Sequence, residues 1–105
     1  MKTEMAQYIK TVLQIDDQSL IDELIGDYVN LFTETFPKIQ ARYNEGNFPE
    51  LRQLAHMLKG VSANIGAEKV RAIALQLQDA SDAENGELCA SLVSELEKCR
   101  GEIDS

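Results

Sequence analysis

The amino-acid sequence predicts an all-α protein, an antiparallel four-helix bundle with a short extra N-terminal helix. Three observations carry that expectation. Apolar residues recur at spacings of three and four along most of the chain. No alternating run of β-branched residues is long enough to build a sheet. The interruptions fall at glycine, proline, asparagine and aspartate, in the positions that start and stop helices. At 105 residues the chain has room for one core, and a single domain is expected over residues 1–105, without internal repeat or linker.

A first helix is expected over residues 3–13, with Met5, Tyr8, Ile9, Val12 and Leu13 on its apolar side. Asp16 or Asp17 then suits an N-cap, because a short carboxylate accepts from the free amides of the next turn. The second helix should cover 18–44, with Leu20, Leu24, Tyr28, Leu31, Thr35, Ile39 and Tyr43 as its stripe. Pro37 removes one backbone donor, so a kink or local break is expected near residues 33–37. Gly46 closes this element, and Asn47, Pro49 and Glu50 form a helix start: cap, first-turn proline and first-turn acid. The third helix is expected over 48–64 with Gly66 at its C-terminus. A fourth follows over 67–83, with Val70, Ile73, Ala74, Leu77 and Ala80 inward. Asn85-Gly86 is a turn, and the last helix, 87–103, should bury Leu88, Leu92, Leu96, Cys99 and Ile103. Connections this short make neighbouring helices antiparallel, with the first helix covering one end.

A net charge of −8 argues against general nucleic-acid binding, which needs a surface of Lys and Arg. No apolar run reaches the roughly 20 residues that span a bilayer, and the N-terminus lacks the apolar core of a signal peptide. A cytoplasmic monomer without membrane contact is therefore expected. Cys89 and Cys99 lie ten residues apart on one expected helix, about 15 Å along its axis, too far for a disulfide. With no CxxC pair and one histidine, a zinc site is not expected either. Both cysteines read as buried thiols.

Charge is not spread evenly. Between residues 51 and 72 the bases are Arg52, Lys59, Lys69 and Arg71 and the acid is Glu68, so an acidic chain has one basic zone. That zone holds the only histidine, His56. The inward stripe of the third helix is Leu51, Leu54, Ala55, Leu58, Ser62 and Ile65. At about 100° per residue, His56 falls roughly 140° from Leu51 and 160° from Leu54, so its imidazole faces outward. Arg52, Gln53, Lys59 and Gly60 share that face at helical spacing. An imidazole is a nucleophile near neutral pH, and Lys59 supplies positive charge for phosphoryl oxygens. Gly60 costs about 1 kcal/mol relative to Ala inside a helix, and the compensation expected is clearance for another protein's active site beside the ring. The same residues also fit a plainer reading, a solvated surface histidine with an ordinary helical lysine.

The segment from Ala55 through His56, Leu58, Lys59, Gly60, Ser62, Ile65 and Gly66 to Ala67 resembles the signature of the histidine phosphotransfer family, AH-x-LKG-S-(S/A)-x-x-(L/I)-GA. The resemblance implies a four-helix bundle whose exposed histidine takes a phosphoryl group from a receiver-domain aspartate and passes it to another receiver. It also implies that Gln78, on the fourth helix, hydrogen-bonds the His56 imidazole and sets its orientation. Val61 departs from the pattern where the family often has Ser or Thr, and Ser62 is either a partial substitute for that hydroxyl or a small packing residue. The partners implied are receiver domains of hybrid histidine kinases and response regulators. Magnesium would belong to the receiver, and this chain would need no cofactor. Nothing resembles an ATP-binding kinase domain, so the expected role is a carrier without autonomous kinase activity. Met57, Val61, Met5 and Ile9 are candidates for docking area. The alternative from another class is a helical module that binds a kinase or receiver without carrying phosphate. The initial Met1 favours a free-standing protein over an excised piece.

Overall fold

The computed structural model describes residues 1–104, Asp104 by its backbone alone; Ser105, the last residue of the expected domain, lies outside the described residues. Five helices account for the fold: α1 (Lys2–Thr11), α2 (Gln18–Asn44), α3 (Phe48–Ile65), α4 (Glu68–Asp82) and α5 (Gly86–Asp104). Helix α3 packs between α2 and α4, α5 closes the ring against α4 and α2, and α1 lies against α2 and α3. The molecule is 43 Å long, close to the ~40 Å that the 27 residues of α2 span.

Local chemistry sets the boundaries. Asp17 Oδ1 accepts from the N–H groups of Ser19 (2.9 Å) and Leu20 (3.3 Å). Asn47 Oδ1 accepts from Glu50 N–H at 3.2 Å, and Asn85 Oδ1 from Leu88 N–H at 3.2 Å. Each cap contributes about 1 kcal/mol by satisfying amides that the helix leaves free. Gly66 ends α3 with φ +78°, and the Ala67 N–H reaches back to Ser62 O at 2.9 Å, the bond that closes a left-handed C-cap. The side chain of Tyr8 on α1 covers this turn so closely that a methyl group on Gly66 would run into its Cβ and ring. One glycine thus permits both the turn from α3 to α4 and the seating of α1.

Three expectations are corrected and one is narrowed. Helix α2 is rotated from the predicted stripe: Ile21, Ile25, Phe32 and Phe36 are buried with Tyr28, Thr35 and Ile39, while Leu20 is 40% exposed and Leu24 and Leu31 are half-buried. The two phenylalanines, stacked with centroids 6.0 Å apart, bury more apolar area than the leucines they displace. Of the kink or break expected at Pro37, the break does not form: α2 is one helix through Pro37, whose own side chain is exposed while Phe36 and Ile39 on either side are anchored in the core. In α5, Leu88 is 43% exposed and Cys89 takes the inward place. Met5 and Ile9, proposed above as docking area, are wholly buried, because their four-residue spacing turns both onto the bundle.

Cys89 and Cys99 are unpaired and buried, and burial pushes both thiols above their ordinary pKa. A polar link ties α2 to α3 inside the core: the hydroxyls of Tyr28 and Ser62 are 2.6 Å apart. Burial pushes the Tyr28 phenol up to about 12, against 10.0 ordinarily. The folded phenol keeps its proton to higher pH than the unfolded one. Its stabilising contribution is therefore complete below pH 10 and is lost as pH rises toward 12. Tyr28→Phe should cost about 1–2 kcal/mol at neutral pH, since Ser62 loses its buried partner. Urea unfolding at pH 9 and pH 11 should show the wild type losing about 1.4 kcal/mol more than this variant between those two values.

Candidate functional site

The site is built where α3 and α4 run antiparallel. On α3, Leu51, Ala55, Leu58 and Ser62 are buried, which fixes the rotation of the helix and leaves His56 exposed on its outer side. On α4, Val70, Ile73, Ala74, Leu77 and Ala80 are buried, and Gln78 lies half-buried at the edge of that face. The two edges meet, and His56 Nδ1 is 3.0 Å from Gln78 Oε1. An amide oxygen only accepts, so Nδ1 carries the proton and donates it. The lone pair then belongs to Nε2, on the far side of an exposed ring.

Lys59, one turn along α3, is half-buried, and among the described residues no ion pair or hydrogen bond engages its ammonium group. Gly60 is exposed, and a Cβ placed on it would meet nothing within 4 Å. The fold itself therefore does not require glycine at this position. What its absent side chain leaves is open space beside His56. Gly60→Ala should raise stability by about 1 kcal/mol in thermal or urea unfolding, the gain in helix propensity.

The basic zone of the sequence does not survive as a basic surface. Arg52 pairs with Asp82 (Nε to Oδ1, 2.7 Å), Lys69 with Glu102 (2.7 Å) and Arg71 with Glu68 (2.8 Å). Arg71 and Lys69, hydrogen-bonded to the Glu68 and Glu102 carboxyls, hold both below their usual range. Two of the three acids come from other parts of the chain, and of the four bases Lys59 is the one without a partner among the described residues. The Arg52–Asp82 pair was missed in the sequence, although it sits one turn back along α3 and one turn on along α4 from the His56–Gln78 pair. Its signal was there: once those two residues are aligned on antiparallel helices, Arg52 and Asp82 face each other.

Ser62 is not part of the site. Its hydroxyl is buried and bound to Tyr28, so it does not replace the hydroxyl that Val61 lacks. Met57 is 37% exposed next to the histidine and lines a groove with Leu54, Gln53, Lys38, Arg42 and Glu50 between α2 and α3; Val61 is half-buried. A surface cleft between α1 and α2, around Ala6, Ile25, Gly26 and Val29, includes none of the site residues. Among the described residues no cluster of three or more His, Cys, Asp or Glu is placed to hold a metal ion, and no helix is long and apolar enough to cross a membrane.

A family model described as Hpt domain matches residues 23–105. The chain belongs to the Hpt domain family. No curated protein and no solved structure matched the chain. Hpt domains are phosphocarriers, not kinases, and serve histidine phosphotransfer in phosphorelays through contact with receiver domains. The matched span contains α3, α4 and α5 and most of α2, hence both helices that form the His56–Gln78 pair, while α1 precedes it.

Proposed function

We propose that this Hpt domain is an intermediate of a two-component phosphorelay that takes a phosphoryl group onto His56 from a receiver-domain aspartate and hands it to another receiver. The observation that carries the reading is the exposed imidazole tethered by Nδ1 to Gln78, which leaves Nε2 free. The Nε2 lone pair attacks the phosphorus of an aspartyl phosphate. The N–P bond forms as the P–O bond breaks, and that bonding pair leaves on the aspartate carboxylate. The proton on Nδ1 stays in place, held by Gln78, so the ring keeps its tautomer and orientation throughout. Lys59 meets the phosphoryl oxygens with a positive charge that no carboxylate pairs with among the described residues. Gly60 gives the partner's loop room to come close.

The donors and acceptors proposed are receiver domains of hybrid histidine kinases and of response regulators. Their own acidic pocket and magnesium would supply most of the catalysis, with no metal on this chain. Met57, with Val61 behind it, offers apolar docking area beside the ring. The carrier is proposed to act as a monomer in the cytoplasm, a reducing compartment that suits its two unpaired cysteines. Incubation with a receiver domain carrying radiolabelled aspartyl phosphate tests the reading. Label should move to this chain in a linkage that is stable to alkali and labile to acid; a receiver that loses its label only to water, with none on this chain, counts against it.

A further inference from the structure

We propose that Arg52 is a second phosphoryl-binding cation of this site, held by Asp82 while His56 is bare and turning to the phosphoryl oxygens once His56 carries the group. The inference rests on His56 being the phosphoryl acceptor. It begins from the stacking of two cross-helix pairs, one turn apart: His56 with Gln78 at 3.0 Å, and Arg52 with Asp82 at 2.7 Å. Arg52 stands four residues before His56 on the same helix face, a spacing at which side chains meet. Side chains on a helix lean toward its N-terminus, and the turn on that side of His56 is the one that carries Arg52.

The present partner of Arg52 is one it can leave. The pair is solvent-exposed, with 42% of the arginine side chain and 56% of the aspartate side chain accessible, and pairs of this kind are weak. Asp82 is also the last residue of α4, where the helix dipole disfavours a carboxylate. A phosphoryl group offers about two negative charges and three oxygens to the fork of a guanidinium, a better match than one carboxylate. The exposed part of the Arg52 side chain lies in solvent, so no packing holds it in its present rotamer. No covalent bond changes in the exchange; one ion pair replaces another, and Asp82 is released.

The test is the phosphoryl equilibrium between a phosphorylated receiver and this chain, measured for the wild type, Arg52→Gln, Asp82→Asn and the double variant. Arg52→Gln should move it toward the receiver by about fivefold, the upper range for an exposed charge pair. Asp82→Asn, which frees the arginine, should move it toward this chain, and in the Arg52→Gln background the same change should do nothing. Arg52→Lys, which keeps the charge without the fork, should fall between wild type and Arg52→Gln. In the wild type the Arg52 Nε–H resonance should shift on phosphorylation. Single variants that move the equilibrium in the same direction, an unchanged equilibrium, or a full Asp82→Asn effect without Arg52 would each overturn the inference while leaving His56 as acceptor. A wild type that takes no label at all overturns the functional reading, and this inference with it.

Discussion

A His56→Gln variant should take no detectable phosphoryl group from a phosphorylated receiver, while unfolding within about 1 kcal/mol of the wild type. The loss should be complete because His56 is the only histidine in the chain, so no second imidazole can substitute. The fold should tolerate the change because the ring is exposed and its one hydrogen bond, to Gln78, lies at the surface, where an exposed polar pair contributes little. Glutamine keeps an amide able to donate to Gln78 Oε1 but brings no nucleophilic nitrogen. The measurement is label transfer beside a urea unfolding curve of the same preparation. A variant that takes no label yet binds the receiver and supports the same signalling output as the wild type would favour the alternative of a binding module that carries no phosphate, and labelling equal to the wild type would rule out His56 as the acceptor.

The largest effect on stability is expected at Gly66, far from any chemistry. Gly66→Ala should cost about 2–5 kcal/mol. Roughly 1–2 of these come from placing a side chain at φ +78°, and about 1–3 from forcing α1 away from the α3–α4 turn, because the new methyl meets Tyr8 at its Cβ and ring. For a chain of this size that corresponds to roughly 10–25 °C in Tm. Gly46→Ala is the control. Gly46 has a similar φ of +68° but open space around it, so this variant should bear the backbone cost alone. Thermal melts of the two variants side by side separate the collision from the conformation; equal losses would show that Tyr8 yields freely.

The contrast between those glycines also marks what could be read from sequence. Helix starts and stops were legible because their causes are local: Asp17, Asn47 and Asn85 cap within three residues, and Gly66 closes its own turn. The outward direction of His56 was legible for the same reason, since the apolar period of α3 alone sets it. What depended on neighbours was not. The stripe of α2 contains two plausible rows of apolar residues, and only packing of Phe32 and Phe36 selects the one that is buried. Met5 and Ile9 looked available for a partner until α1 was seen to spend them on the core. The local count of bases around His56 ignored Asp82 and Glu102, which arrive from elsewhere in the chain and leave Lys59 as the cation of that zone without a partner among the described residues. Gln78 came from resemblance; its contact with the imidazole is a product of the register between α3 and α4.

That contact is the centre of the account, because it decides which ring nitrogen is free. The most direct measurement is nuclear magnetic resonance of the 15N-labelled domain after phosphorylation by a receiver, reading which imidazole nitrogen of His56 is bonded to phosphorus. The phosphoryl group should sit on Nε2, with Nδ1 still protonated and hydrogen-bonded to Gln78. Phosphorus on Nδ1, or on any residue other than His56, would contradict it.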